Sequence, residues 1–307
     1  MIPGVLILTG PTASGKSALA MQLAERFDAE IVGADSRQVY LGMEIGTAAP
    51  SDADRKRVPH HLVGFLDPCE RYSAARFVSD ALAAIDTIHA RGRRAIVAGG
   101  TGFYIRALAG DVALSPAYDA DLRDRLAREA RVHPPEVLAA WLAVLAPERA
   151  ATVASPDRYR VGRSLEIALA ARRERSAGDD AHHTLPASLR TRGLAYRKVA
   201  LAIEPRELER RIAARVDAIV AGGLLEEAER VGLGAVAADA VGYREALAYL
   251  GGLSTLAELR ALLVRSTRRY AKRQATWLRT EPGVHWIGAD EALVQALCEV
   301  RALPAWG

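Results

Sequence analysis

The chain has 307 residues, of which 50% are hydrophobic and 25% are charged, a balance that is ordinary for a globular protein with one large core or two modest ones. No segment approaches the length of a membrane span, and residues 1–3 lead directly into a strand-like run, so we expect no signal peptide and a cytoplasmic protein. The two cysteines, Cys69 and Cys298, are far apart, which argues against a disulfide framework, and a net charge of +4 favours polyanionic partners mildly.

The first predicted elements are a strand over 5–8, a glycine-bearing turn over 10–17 and a helix over 18–27. The turn fits the phosphate-binding pattern G-x-x-x-x-G-K-[ST] at every fixed position. Such a turn directs backbone N–H groups and the positive end of the helix dipole at one anion. The ammonium of Lys16 can reach the outer phosphates, and the hydroxyl of Ser17 can join a Mg²⁺ shell. The predicted phosphate-binding loop (P-loop) consists of Gly10, Pro11, Thr12, Ala13, Ser14, Gly15, Lys16 and Ser17.

The pattern continues with a strand over 29–34, a helix over 73–91 and a strand over 94–98. Alternating strands and helices are typical of an α/β fold with a doubly wound parallel sheet. In open sheets of this kind, ligands bind beyond the carboxyl ends of the strands. We therefore expect three segments to meet in one crevice: the P-loop, residues 35–38 and residues 99–101.

The texture changes after about residue 110, where strand signals disappear and Ala, Leu, Arg and Glu dominate. We predict an inserted all-helical domain over 111–196, between a first core segment over 1–110 and a second over 197–307. A polar stretch over 173–190 predicts a mobile loop. A strand over 198–203 resumes the sheet, and only helices are expected after it.

The last long helix carries basic charge without acidic residues of its own. No Asp or Glu lies between Glu258 and Glu281, whereas this interval contains Arg260, Arg265, Arg268, Arg269, Lys272, Arg273 and Arg279. A helix of this kind suits phosphate backbones. We expect its aromatic residues, Tyr270 and Trp277, to be packing residues rather than platforms for stacked bases.

The end of the strand over 94–98 gives a first indication of the chemistry. A hydrolytic P-loop enzyme has an Asp there, whereas this strand runs into Gly-Gly-Thr, which can admit a substrate but not activate water. The nearby Asp35 can accept a proton from a nucleophile that approaches the bound phosphate compound. The residues are also compatible with a small-molecule P-loop kinase and with a non-catalytic P-loop RNA-binding protein. The basic helix disfavours the kinase, and Asp35 with Thr101 disfavours pure binding.

An ordered series of motifs makes the choice sharper. The series lies at residues 10–17, 34–40, 42–48, 59–62, 99–104, 159–166, 240–245 and 267–277. With these motifs, nearly the whole chain resembles the tRNA dimethylallyltransferases, also called isopentenyl-tRNA transferases. The resemblance implies transfer of a dimethylallyl group to the N6 amine of the adenosine next to the anticodon on its 3′ side. The tRNAs concerned read codons that begin with U.

The resemblance also implies roles for individual residues. The P-loop would hold dimethylallyl diphosphate with Mg²⁺, rather than ATP, and Ser17 would be the metal ligand. Asp35 would be the general base, and Thr101 would lie at the reacting centre. Arg211 would bind the diphosphate, although its neighbours Arg210 and Arg215 remain alternatives.

The remaining implied partner is the anticodon stem-loop of tRNA, with the enzyme acting as a monomer. Residues matching the tRNA-binding positions of the family are Asp35, Ser36, Arg37, Gln38, Thr101, Arg123, Tyr159, Arg160, Val161, Gly162 and Arg163. Chemistry on a stacked base requires that the base be extruded, and residues 35–38 match the segment that holds it.

Overall fold

A computed structural model describes residues 2–112, 114, 120–153, 157–176 and 187–306. Its centre is a six-stranded parallel sheet with the strand order β3-β2-β4-β1-β5-β6. The strands are β1 (Val5–Thr9), β2 (Ala29–Gly33), β3 (His60–His61), β4 (Arg94–Gly99), β5 (Tyr196–Ala202) and β6 (Val284–Gly288). The predicted α/β fold with a P-loop core is confirmed.

Helices surround this sheet. They are α1 (Lys16–Phe27), α2 (Glu44–Thr47), α3 (Asp52–Arg57), α4 (Ala74–Ala90), α5 (Gly102–Ala109), α10 (Pro205–Ala221), α11 (Leu224–Val231), α12 (Tyr243–Leu250), α13 (Leu256–Leu278) and α14 (Ala292–Val300). Every residue of β1 and β2 is buried, which is what a parallel sheet covered on both faces requires. Leu6 and Leu8 pack in one cluster with Leu19 and Leu23 of α1 and with Trp306 near the carboxyl end.

Residues Ala113–Pro186 form a second compact unit, and Met1–Val112 with Ala187–Gly307 form the first. The helices of the second unit are α6 (Ala120–Val132), α7 (Pro135–Leu145), α8 (Pro147–Thr152) and α9 (Arg158–Ser176). Its core contains Leu138, Leu142, Val161 and Leu165. Within the described part of the chain, no helix has both the length and the apolar character needed to span a membrane.

The unit is shorter than the predicted insertion over 111–196, because the residues on both sides of it pack on the sheet domain. For example, the amide of Leu189 donates to the carbonyl of Leu108, and Tyr196 already belongs to β5. The loop predicted over 173–190 also begins later, because α9 extends to Ser176. Of that loop, residues 177–186 lie outside the described residues.

The sequence pattern predicts neither β3 nor β6, and it predicts only helices after residue 203. The edge strand β6 pairs with β5, in register from Lys198 opposite Val284 to Ala202 opposite Gly288. Its sequence, Val-His-Trp-Ile-Gly, lacks the continuous apolar run of the central strands, and only part of the strand is buried. The other edge strand, β3, has only two residues, and His61 there bonds the buried carboxylate of Glu30 at 2.6 Å.

A buried ionic cluster joins β5 to the ends of two helices. The ammonium of Lys198, 1% exposed, contacts the carboxylates of Asp111 and Glu281. Glu281 also accepts from Nε of Arg106 at 2.6 Å, and Asp111 contacts Arg190. A buried charge requires such partners because desolvation of an unpaired ion is costly.

Replacing Lys198 with Met should therefore lower the free energy of unfolding by about 3 kcal/mol, the lower end of the cost of breaking a buried pair. The lower end applies because Arg106 and Arg190 still face the two carboxylates. Urea unfolding measures the change. The control is Arg260→Ala, which removes the surface pair with Asp217 and should leave stability almost unchanged. Equal losses in the two variants would contradict this role for the cluster.

Candidate functional site

The P-loop connects β1 to the first turn of α1 through a tight backbone turn. Ala13 and Gly15 have positive φ angles of 64° and 99°, so the backbone turns back on itself before α1 begins. Only glycine adopts the conformation at position 15 without strain, and this residue is the N-cap of α1. The amide of Ser14 donates to the carbonyl of Pro11 at 3.2 Å, which closes the loop. The first turn of α1 thus presents its N–H groups to the space in front of the loop.

That space is a cavity of about 250 Å³ with a cationic wall. Its lining residues are Ala13, Gly15, Lys16, Ser17, Ala18, Arg211 and Arg215. Arg211 donates from Nη1 to the carbonyl of Ser14 at 3.2 Å and from Nε to Glu207 at 2.7 Å. Arg210, by contrast, is exposed and paired with Glu207. The geometry therefore favours Arg211 and Arg215, and not Arg210, as the arginines of the phosphate site.

The cations of this cavity are held partly out of water. Burial lowers the pKa of Lys16 to about 8, against the opposing charge of Asp35, and the nearby Arg215 lowers it further. Burial also lowers the pKa of Arg215, while Asp35 raises it. The guanidinium of Arg215 is fixed by donating from Nη2 to the carbonyl of Thr47 at 2.9 Å. Such cations gain more from binding an anion than exposed ones do, because their charge is poorly screened by water.

Asp35 and Thr101 come together at the carboxyl ends of β2 and β4. The backbone of Gly99 approaches Ala34 so closely that a Cβ at position 99 would lie 2.1 Å from the Ala34 carbonyl oxygen. As a result, the hydroxyl of Thr101 accepts from the amide of Ser36 at 2.9 Å. The carboxylate of Asp35 accepts from the amide of Arg37 at 2.9 Å. The expected meeting of residues 35–38 with residues 99–101 is confirmed.

A second cavity of about 240 Å³ has Asp35 in its wall. Thr12 and Arg215 line it as well, and Arg215 also belongs to the cationic cavity. Other parts of the wall are apolar and consist of Val216, Ile219, Ala240, Val241 and Leu263. The arrangement can hold a compound with an anionic end and a small apolar end, with a carboxylate beside it.

The two residues after Ser36 are held by protein contacts. Arg37 forms an ion pair with Asp239 at 2.7 Å. The side-chain amide of Gln38 donates to the carbonyls of Thr47 and Ala48 at 3.2 and 3.1 Å. Thr47 is therefore bonded by both Gln38 and Arg215, which connects this segment to the cationic cavity.

The other residues with expected RNA contacts lie in the second unit. Tyr159 is 76% exposed, and Arg160 and its neighbours begin α9. The side chain of Val161 is fully buried in the core of the unit, so it contributes packing. Arg123 and Arg163 both bond Glu166, at 3.3 and 2.7 Å. Gly162 has no atom within 4 Å of the place where a Cβ would be.

Part of the positive charge of helix α13 is neutralised in the structure, because α10 supplies acidic partners. Arg260 binds Asp217 through two hydrogen bonds of 2.6 and 2.8 Å, and Arg268 pairs with Glu209. Trp277 packs on Gly102, where a Cβ would lie 2.3 Å from its ring. This is the packing role expected for Trp277, whereas Tyr270 lines the Asp35 cavity.

Sequence reasoning named one residue of the site only as an alternative and missed another. Arg215 was only an alternative to Arg211, although both lie on α10 four positions apart and therefore on one face. Gln274 lies in the motif at residues 267–277, and it is buried against the P-loop. A signal was present: Ala271, Gln274 and Leu278 have the spacing of a buried helical stripe, so Gln274 is a polar residue on an apolar face.

Comparison with known proteins places this chain in a family. The model described as IPP transferase matches residues 38–281, and the model described as isopentenyl transferase matches residues 3–60. This chain belongs to the IPP transferase family. The resemblance inferred from the motifs is thereby confirmed.

Similar sequences agree. A protein named tRNA dimethylallyltransferase 2 from Geotalea uraniireducens is 42% identical over 298 residues, which is 94% of this chain and 93% of that protein. A tRNA dimethylallyltransferase from Anaeromyxobacter sp. (strain Fw109-5) is 46% identical over 291 residues, which is 92% of this chain and 94% of that protein. The chain therefore matches these relatives over almost their whole length.

Solved structures show the same similarity. The full-length tRNA isopentenylpyrophosphate transferase from Bacillus halodurans has a TM-score of 0.67 at 34% identity, with 95% of this chain and 94% of that chain covered. A eukaryotic dimethylallyltransferase acting on tRNA has a TM-score of 0.74 at 26% identity, with 93% of this chain and 73% of that chain covered.

The oxygen ligands that the phosphate site offers suit Mg²⁺. The described residues contain no cluster of three or more His, Cys, Asp or Glu side chains that could hold a metal alone. Ser17, whose hydroxyl is a hard oxygen ligand, lines the cationic cavity. Mg²⁺ is commonly bound by a few protein oxygens together with substrate phosphates and water. The site therefore fits Mg²⁺ that arrives with a phosphate compound.

The pKa of Lys16 predicts how the affinity for a diphosphate depends on pH. A bound anion raises this pKa above its value of about 8 in the empty cavity, so binding takes up a proton at higher pH. Relative to a variant whose cation does not titrate, the affinity for inorganic diphosphate should be constant below pH 8 and fall as the pH rises above it. Titration calorimetry at a series of pH values measures the change.

The control for this prediction is Lys16→Arg, because a guanidinium stays charged over the same range. The ratio of the two affinities cancels the titration of the ligand itself. If the wild type and Lys16→Arg lose affinity in parallel above pH 8, the ammonium of Lys16 is not the titrating group.

Proposed function

We propose that this enzyme transfers a dimethylallyl group from dimethylallyl diphosphate to the N6 amine of adenosine in tRNA. The target is the adenosine next to the anticodon on its 3′ side, in tRNAs that read codons beginning with U. One observation carries the proposal: the cationic P-loop cavity shares Arg215 with the cavity that contains Asp35. A diphosphate and a nucleophile can thus meet beside one carboxylate.

The donor is bound by opposite charge at one end and by apolar contact at the other. Its diphosphate accepts from the N–H groups of the P-loop and the first turn of α1 and faces Lys16, Arg211 and Arg215. Its five-carbon group lies against Val216, Ile219 and neighbouring apolar residues of the second cavity. Burying these carbons stabilises the complex by about 0.8 kcal/mol per methylene group.

In the transfer step, the N6 nitrogen forms a bond to C1 of the dimethylallyl group while the bond from C1 to the diphosphate oxygen breaks. The proton of the amine goes to Asp35, and the diphosphate leaves with the bonding electron pair. Charge accumulates on the leaving oxygen, where Lys16 and the two arginines stabilise it. Thr101 holds Ser36 beside the base and supplies a hydroxyl at the reacting centre.

Mg²⁺ completes the proposed site. When bound through Ser17 and the diphosphate, it would neutralise further charge on the leaving group. The residues of the protein do the rest of the binding: the loop fixes the diphosphate, and Arg211 closes it from the side of α10.

We propose two groups of tRNA contacts, one in each unit of the protein. Ser36, Arg37, Gln38 and Thr101 hold the extruded adenine near Asp35. Exposed residues of the second unit, with Tyr159 and Arg160 at the start of α9, meet the stem-loop together with Arg123, Gly162 and Arg163. The buried side chain of Val161 shapes this surface from below.

The proposed enzyme works as a monomer in the cytoplasm. Both cysteines, Cys69 and Cys298, are free and exposed, which suits a reducing compartment.

The deciding experiment measures transfer with labelled dimethylallyl diphosphate, Mg²⁺ and an unmodified tRNA that has adenosine after its anticodon. Label should enter the RNA, and ATP should be neither hydrolysed nor used. A phosphoryl-transfer enzyme gives the opposite pattern, with phosphate moved from ATP and no label in RNA. A protein that only binds RNA gives neither product.

In the same assay, Asp35→Asn should lower turnover by about 100- to 10,000-fold, the contribution of general base catalysis. The tRNA affinity should change little, because size and hydrogen bonding are kept. The matched control is Asp86→Asn, which makes the same replacement at a surface pair with Arg192. Asp35→Asn at the wild-type rate would show that this carboxylate is structural.

The exposed face of α13 predicts how tRNA binding depends on salt. Replacing Arg268 and Lys272 with Ala should weaken binding and reduce the slope of log K against log salt by about 0.7–0.9 for each lost phosphate contact. The control is Arg260→Ala on the same helix, because Arg260 is bound to Asp217 through two hydrogen bonds, whereas Arg268 contacts Glu209 through one. Turnover at saturating tRNA should stay near wild type. An unchanged slope, with or without a lower melting temperature, would contradict a tRNA contact by this face.

A further inference from the structure

One buried side chain joins the two loops that carry the proposed chemistry. Gln274 of α13 is only 6% exposed, and both ends of its amide are bonded to backbone. Its Oε1 accepts from the amide of Thr12 in the P-loop at 2.8 Å. Its Nε2 donates to the carbonyl of Gly100, directly before Thr101, at 3.0 Å. A single amide group thus links the phosphate-binding loop to the loop after β4.

The backbone on each side is adapted to this link. At position 100 a Cβ would lie 2.2 Å from Nε2 of Gln274, so the amide occupies the place of a side chain. In the P-loop, the N–H of Thr12 is committed to Gln274 and is not among the groups that face the phosphate. The loop is therefore held from behind by Gln274, while the N–H groups of the first turn of α1 remain in front.

The link continues to the proposed base. Thr101 follows Gly100, and its hydroxyl accepts from the amide of Ser36, next to Asp35. The same contacts place Gln274 between the group that holds the donor and the group that takes the proton. Since an in-line transfer depends on the separation of these two groups, their spacing has to be fixed.

We propose that Gln274 is a positioning residue that sets the distance between the P-loop and the pair Asp35–Thr101. This inference rests on the proposed function of those two residues. Gln274 does not touch the reacting atoms. It acts through Thr12 on one side and through Gly100 on the other, so its two hydrogen bonds have separable consequences.

The chemistry of the amide gives variants that cut one bond or both. Gln274→Glu keeps an oxygen that accepts from Thr12 but loses the donor to Gly100, and its carboxylate would face a carbonyl oxygen. Gln274→Leu has a similar volume and loses both bonds. Ser266→Ala is the matched control, because Ser266 is a second buried polar residue of α13 and its hydroxyl accepts from Arg269 at 3.2 Å.

The experiment measures turnover at saturating tRNA and dimethylallyl diphosphate, together with the affinity for inorganic diphosphate with Mg²⁺ and the affinity for tRNA. Gln274→Glu should lower turnover by about 100-fold, the cost of a misplacement of about 1 Å, with the diphosphate affinity kept within threefold. Gln274→Leu should lower turnover and weaken diphosphate binding about tenfold or more. The tRNA affinity should be unchanged in both, and Ser266→Ala should match the wild type.

A purely structural Gln274 predicts something different. Each variant would then melt at a lower temperature while its folded fraction keeps wild-type turnover and affinity, and that result would overturn the proposal. Wild-type turnover in Gln274→Glu would overturn it as well. If the wild type transfers no dimethylallyl group, the proposed function fails. Diphosphate binding then still tests the role of Gln274 between the two loops. Equal diphosphate affinities in Gln274→Glu and Gln274→Leu would refute that role. Should the Leu variant not fold, the turnover of the Glu variant decides.

Discussion

The close approach of two strand ends is the constraint on which the site depends. Gly99 lies so near Ala34 that no side chain fits between them. This approach carries Thr101 to the amide of Ser36 and thereby places Asp35 at the edge where β1 delivers the P-loop. In a parallel sheet the carboxyl ends of neighbouring strands share one edge, so this contact joins the loops after β2 and β4 beside the P-loop.

The cations of the P-loop cavity are held in fixed positions by burial and by protein partners. Lys16 and Arg215 share a cavity where burial lowers the pKa of both, and the nearby carboxylate of Asp35 opposes that shift. Glu207 accepts from Arg211 at 2.7 Å and so fixes the direction of its guanidinium. Cations arranged in this way are preorganised, so their side chains lose less conformational entropy when an anion binds. The same arrangement stabilises charge that develops on a leaving group.

Helix α13 connects surface and site. Its buried face supplies Gln274 and Trp277, which contact the loop from Gly100 to Gly102, while Arg268 and Lys272 lie on its exposed side. The helix is anchored at its start by a capping box formed by Thr255 and Glu258. If tRNA binds the exposed face, substrate binding and the alignment of the two loops involve one rigid element.

The sequence by itself determined the parallel α/β fold, the P-loop and the candidate residues Asp35 and Thr101, because these depend on short-range patterns. An apolar run followed by Gly-x-x-x-x-Gly-Lys-Ser has few other structural solutions, and strand ends share one edge by topology. Only the tertiary structure decided the partners of residues far apart in the chain. It placed Arg211 and Arg215, and not Arg210, in the wall of the P-loop cavity, and it paired Arg268 with Glu209. It also buried Val161 and bonded Gln274 to two loops. The edge strand β6 also formed through its neighbour, since its sequence lacks a continuous apolar run. Long-range hydrogen bonds and burial follow from how helices pack on a sheet, and local spacing does not contain that information.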